Sequence, residues 1–170
     1  MARILLLRGG ALGDLVLTLP AMAAVRRRWP DAEIEAAVRP HLACVARMVD
    51  VADRVTSLER AGLVRLFAPN LPREHKLGLE LSAFDLVVSW LHDPDGIVEE
   101  NLRACCAGKV VCGSPLPLGR HACDALAAPL SLLGIEPDHP LTPRVRLPGK
   151  PVRDYGERLV VLHPGSGGRH

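Results

Sequence analysis

The chain is poor in aromatic residues, carries no marked excess of charge of either sign and contains no long apolar run. Aromatics make up 3% of its 170 residues, too few for the stacked platform on which single-stranded nucleic acid is held. The 21 basic residues exceed the 19 acidic ones only slightly, for a net charge of +2, which a dedicated nucleic-acid binder ordinarily surpasses. No stretch approaches the roughly 18 consecutive apolar residues that a spanning helix needs. Cysteine is sparse: Cys44, Cys105, Cys106, Cys112 and Cys123 are odd in number, scattered and never in a C-x-x-C pair. That pattern supports neither a disulfide framework nor a zinc site, even with His41 and His121 nearby, and reads as free thiols in a reducing compartment.

What is present is the ordinary mixture of a globular protein, 48% hydrophobic and 24% charged, so disordered and fibrous classes are excluded. At 18.3 kDa the chain makes one domain of usual size with part of another. Arg3, the apolar run after it and Ala21-Met22-Ala23 imitate a signal peptide. Arg8, two glycines and Asp14 interrupt the apolar run, so the expected location is cytoplasmic.

Short apolar runs alternate with longer helical patterns. Ile4–Leu7 is consecutively apolar and predicts a buried strand. A glycine turn follows over Arg8–Gly13, and Asp14 opens a helix to about Arg28, closed by basic residues and Pro30. Pro20 within it removes one backbone hydrogen bond and should kink it. Strands are expected at Glu33–Val38 and Arg54–Leu58, helical segments at Leu63–Ala68 and Glu74–Leu81. The clearest central strand is Phe84–Leu91. Gly96–Cys106 predicts a helix, Val110–Cys112 a strand, and Ala122–Leu133 a helix stopped by Gly134. Alternating β and α elements imply an α/β fold, a Rossmann-like parallel sheet with helices on both faces.

Composition changes at Pro137, and further prolines at 140, 143, 148 and 151 mark a linker. After it Leu159–Leu162 predicts another buried strand, running into Gly165-Ser166-Gly167-Gly168. The expected organisation is a first domain over residues 1–136, a Pro-rich linker over 137–157, and the first strand and loop of a second, truncated α/β domain over 158–170.

Two glycine loops carry the chemistry. Arg8-Gly9-Gly10-Ala11-Leu12-Gly13-Asp14 is neither G-x-G-x-x-G, since Arg8 stands where a glycine is needed, nor a P-loop. It is a strand, a tight turn and a helix N-terminus bearing a carboxylate, in the place where doubly wound sheets bind ligands. Asp14 suits a helix cap and a general base equally, and the two roles are compatible. The backbone N–H groups of Gly165–Gly168 could cradle a phosphate, or form a simple turn.

The segment Ile4–Asp14, continuing Leu17-Thr18-Leu19-Pro20-Ala21 and Trp29-Pro30-Asp31-Ala32-Glu33-Ile34, resembles the N-terminus of glycosyltransferase family 9, the ADP-heptose:lipopolysaccharide heptosyltransferases and their relatives. Leu162-His163-Pro164-Gly165-Ser166-Gly167-Gly168 is similar to the family's entry into its second domain. Trp90–Gly96 and Asn101-Leu102-Arg103 look family-like but are less diagnostic. The resemblance implies two facing Rossmann-like domains, the GT-B arrangement, with the acceptor on the first and a nucleotide-diphosphate sugar, ADP-linked, on the second. It implies that Asp14 is the general base of an inverting transfer to a lipopolysaccharide-type or other glycan acceptor. Arg8, Gly10 and Gly13 would shape the acceptor loop. Gly165, Ser166, Gly167 and Gly168 would hold the donor phosphates, without an obligatory metal or other cofactor. Because most of a donor domain is missing, the chain as it stands is expected to be inactive.

The competing expectation is a stand-alone, non-catalytic α/β module that binds a sugar or nucleotide. Arg26-Arg27-Arg28 suits a helix C-terminus better than an anionic lipid or phosphorylated acceptor, and a peripheral contact with the cytoplasmic membrane face stays open. Asp93 and Asp95 follow the Phe84–Leu91 strand, where a turn at Pro94 accounts for them as well as acceptor binding does.

Overall fold

A computed structural model describes residues 1–60, 62–116, 119, 121–136, 141–144, 160 and 162. Five strands form one sheet: β1 (Arg3–Arg8), β2 (Glu33–Val38), β3 (Arg54–Ser57), β4 (Leu86–Trp90) and β5 (Lys109–Cys112). Their order is β3-β2-β1-β4-β5, and every pairing is parallel. The expected parallel sheet is therefore present, with β1 at its centre. Between strands run α1 (Leu12–Arg28), α2 (Ala43–Arg47), α3 (Lys76–Leu81) and α4 (Ile97–Cys105), and α5 (Ala122–Ala127) follows β5.

The alternation of side chains along β1 builds two cores. Ile4 and Leu6 join Ile34, Val88 and Trp90 beneath Leu15, Leu19, Met22 and Val25 of α1 and Leu126 of α5. Leu5 and Leu7 point the other way, toward Leu77 and Leu81 of α3 and Val98 and Leu102 of α4. A strand buried on both faces has no polar side to show, which is why β1 reads Ile-Leu-Leu-Leu. Helices on both faces make this the Rossmann-like α/β fold.

Three local expectations change. The first helix begins at Leu12, with Ala11 at its N-cap, so Asp14 is the third helical residue rather than the opening one. The expected helix Ala122–Leu133 is α-helical only to Ala127 and continues as a 3-10 turn over Ala128–Leu133. Pro129 stands at the start of that turn, and its ring and missing N–H disrupt the α pattern there. Leu63–Phe67 is likewise a 3-10 turn. Gly134 does close its element in the left-handed region, at φ 66°.

Arg26 donates to the carbonyls of Pro30 and Ala32 and pairs with Asp53, so the first arginine of the basic run braces the turn between α1 and β2. Leu141, inside the expected linker, is buried against the α1 core. The remainder of 137–157, apart from 141–144, lies outside the described residues. Of the expected strand Leu159–Leu162 only Val160 and Leu162 are described; neither is in a strand, and both are exposed. Among the described residues no helix is long and apolar enough to cross a membrane.

Candidate functional site

In the order 3-2-1-4-5 the chain leaves β1 toward one edge of the sheet and β4 toward the other. Loops after these two neighbours therefore part and leave a crevice at their carboxyl ends. Arg8 ends β1 and is in register with Trp90, which ends β4. Both are buried, at 1% and 0% exposure.

Arg8 stitches this corner together. Its Nη1 donates to the Trp90 carbonyl at 3.0 Å, and its Nε donates to the Asp14 carbonyl at 3.2 Å. Its Nη2 has no hydrogen-bond partner among the described residues and lies 3.6 Å from Asp14 Oδ1. Burial lowers the guanidinium pKa from its ordinary value, and the Asp14 charge opposes that shift. A buried cation facing a carboxylate is costly to leave without one.

Asp14 sits at the mouth of the crevice with its side chain 44% exposed. Its Oδ2 accepts the Ala11 N–H at 2.7 Å, one half of a capping box that the Ala11 side chain cannot complete. This fold-back dictates the glycine before it. Gly10 has φ +88°, and a Cβ there would stand 2.9 Å from Asp14 Cβ and Cγ and closer still to Oδ2. Gly13, by contrast, lies in the first turn of α1 with nothing within 4 Å of a Cβ.

Arg8, Gly9, Gly10 and Asp14 line a cavity of about 330 Å³ together with Trp90, His92, Pro115 and Leu116. The expected site residues Arg8, Gly10 and Asp14 are thus brought together; Gly13 does not line this cavity. The donor-side residues Gly165, Ser166, Gly167 and Gly168 lie outside the described residues. His92, Pro115 and Leu116 were not foreseen as neighbours of Asp14, because only the strand order places the ends of β4 and β5 beside the end of β1.

Beyond His92 a second cavity of about 290 Å³ opens against Ser89, Asp93, Glu99, Cys112 and Ser114. Asp93 Oδ1 and Oδ2 accept the N–H groups of Val98 and Glu99 at 3.0 and 2.9 Å, so Asp93 caps the first turn of α4. Burial, aided by the charge of Glu99, pushes the Cys112 thiol up to about 12. Asn101 is structural: it accepts from Leu71 N–H and donates to the carbonyls of Leu66 and Ala68. All five cysteines are free.

No protein-family model and no curated protein matches the chain. Solved structures do. A glycosyltransferase family 9 structure from Veillonella parvula superposes with a TM-score of 0.56 at 18% identity, over 79% of this chain and 42% of its own. The E. coli heptosyltransferase WaaC with ADP gives 0.51 at 18%, over 81% and 48%. The same enzyme with ADP-2-deoxy-2-fluoro heptose gives 0.53 at 17%, over 81% and 50%. The chain thus shares the fold of part of these glycosyltransferases and spans about half the length of each.

Proposed function

We propose that this chain is the acceptor-side half of an inverting glycosyltransferase that moves a sugar, heptose-like, from an ADP-linked donor to a glycan acceptor of lipopolysaccharide type. The observation that carries the reading is Asp14: a half-exposed carboxylate fixed by Ala11 N–H at the switch-point crevice, beside a buried arginine. The fold shared with a heptosyltransferase that holds ADP or an ADP-heptose analogue supports the donor class.

In this reading Asp14 takes the proton from an acceptor hydroxyl while that oxygen attacks the anomeric carbon. The bond from that carbon to the diphosphate breaks on the opposite face, its electron pair leaves with the nucleotide, and the anomeric configuration inverts. Arg8 holds the carbonyls of Asp14 and Trp90, so the base and the crevice wall move as one body. Donor contacts come from a second domain, with Gly165, Ser166, Gly167 and Gly168 offering backbone N–H groups to the leaving phosphates. No metal or organic cofactor is invoked, and the 170-residue chain alone should transfer nothing.

The test is a transfer assay on the two-domain protein, with ADP-linked sugars and with the product anomer read by NMR. Inverted product that depends on Asp14 supports the proposal. A protein that binds sugar or nucleotide but transfers none, with or without Asp14, is the non-catalytic module instead.

A further inference from the structure

The crevice is longer than one reacting sugar requires, and its two halves differ in chemistry. The cavity over Asp14 and the cavity against Ser89, Asp93 and Glu99 share His92, Pro115 and Leu116. At about 330 and 290 Å³, each lies near the lower end of the range for small-molecule sites, the scale of one sugar ring.

The second cavity offers hydrogen bonds that the fold leaves unspent. Ser89 is 3% exposed, and its Oγ accepts from Leu91 N–H at 3.3 Å. Among the described residues its O–H has no acceptor, so the hydroxyl is free to donate into the cavity that Ser89 lines. Asp93 accepts one backbone N–H at each oxygen, which leaves lone pairs for further donors. Glu99 stands on the same wall. Carboxylates and a hydroxyl donor on one wall suit a ligand that both gives and receives many hydrogen bonds.

Charge then narrows the class. Among the described residues lining this cavity none is lysine or arginine. The nearby Arg103 is spent on Glu99 Oε1, through bonds of 2.8 and 2.6 Å. That pair offsets the charge of Glu99, so among the described residues Asp93, held by backbone N–H groups alone, leaves the wall with a negative balance that disfavours a phosphate or a carboxylated sugar. The Asp14 cavity, walled by Arg8, has no such bias.

We propose that this second cavity is a subsite for an uncharged, hydroxyl-rich sugar unit, the one linked to the acceptor unit that reacts over Asp14. The identity of the occupant as acceptor rests on the glycosyl-transfer reading; the preference for a neutral polyhydroxyl ligand rests on the wall alone.

The experiment is an amide NMR titration of the ¹⁵N-labelled 170-residue chain. The probes are the methyl glycosides of glucose, mannose and galactose, and methyl glucuronide. At least one neutral glycoside should give saturable shifts at Glu99, Gly113 and Ser114, while the glucuronide gives none there at the same concentration. Glu99→Gln, which removes the charge at nearly constant shape, should narrow that discrimination at least threefold. Glu99→Lys should reverse it. Failure of all three neutral glycosides, or equal binding of the glucuronide by the unaltered chain, overturns the subsite. Because the readout is binding, its failure is distinct from a transfer reaction that proves indifferent to Asp14.

Discussion

Arg8 Nη2 and Asp14 Oδ1 face each other at 3.6 Å, an ion pair whose cation is buried while its carboxylate opens to the crevice. The geometry separates two roles of Asp14. As a capping group it needs only an oxygen for Ala11 N–H, which Asn also supplies. As a base it needs the carboxylate. Asp14→Asn should therefore fold, losing about 1–3 kcal/mol, between the cost for an exposed pair and that for a fully buried one, because Arg8 is left buried without its carboxylate. Under the proposed transfer function, turnover per folded molecule should fall by about a hundredfold or more. Melting temperature measured beside initial rate decides the matter: reduced stability with an unchanged rate would leave Asp14 a structural residue only.

The two glycines flanking the turn should respond in opposite directions. Gly10 combines a left-handed backbone with a Cβ path blocked by the Asp14 carboxylate. Gly10→Ala should cost about 1–3 kcal/mol of strain and displace Asp14, so that activity falls further than stability explains. Gly13 meets open space within a helix, where alanine is the better residue. Gly13→Ala should stabilise the chain by about 0.5–1 kcal/mol. Denaturant unfolding of both variants tests the contrast; equal destabilisation would mean that the loop constrains Gly13 in a way the geometry does not show.

The sheet was readable because a strand buried on both faces must be apolar at every position, and Ile4–Leu7 and Leu86–Val88 satisfy that without help from neighbours. Asp14 was readable for a similar reason, since a strand, glycines and a carboxylate lie within a few residues of one another. Arg8 was assigned to the loop, yet it is the last residue of β1 and is buried. Strand alternation places it with Ile4 and Leu6, but a charged residue after an apolar run reads naturally as the point where burial ends. The short α2 was missed because Ala43–Arg47 is too brief for a periodic signal. His92, Leu116 and Ser89 were beyond local reading altogether, because their approach to the site depends on β4 lying beside β1.

Asp53 connects the fold to pH. Ile34 N–H and the Arg26 side chain both donate to it, and they lower its pKa from the ordinary carboxylate value, the backbone bond contributing most. A carboxylate with a depressed folded-state pKa adds stability that is fully present above its unfolded pKa, about 3.9. That contribution is lost as pH falls through the folded value. The side chain is 54% exposed, so solvent screening keeps the effect to about 1 kcal/mol or less. Asp53→Asn should lower stability at neutral pH and flatten the decline below pH 4. Chemical unfolding at a series of pH values reads both, and parallel curves for the two proteins would remove Asp53 from the acid transition.

Cysteine reactivity gives the most direct check on how the crevice floor is built. Cys44 is exposed, whereas Cys105, Cys106 and Cys123 are buried and Cys112 is partly so. Burial raises the thiol pKa at all four of the latter. Alkylation proceeds through the thiolate, so access alone does not set the rate at Cys112. With its thiol at about 12, the reactive fraction at neutral pH is on the order of a thousandfold below that of an ordinary cysteine thiol, whose pKa is about 8.5–9. Iodoacetamide on the native chain should therefore modify Cys44 first and Cys112 far more slowly, with the buried three reacting only on unfolding. Peptide mass spectrometry over time resolves the order. Glu99→Gln should speed Cys112 modestly by removing one of the charges that disfavour its thiolate. Rapid modification of Cys112 in the unaltered chain would mean that the wall between Ser89 and Ser114 is wetter than the packing shows, and less able to discriminate between neutral and charged sugars.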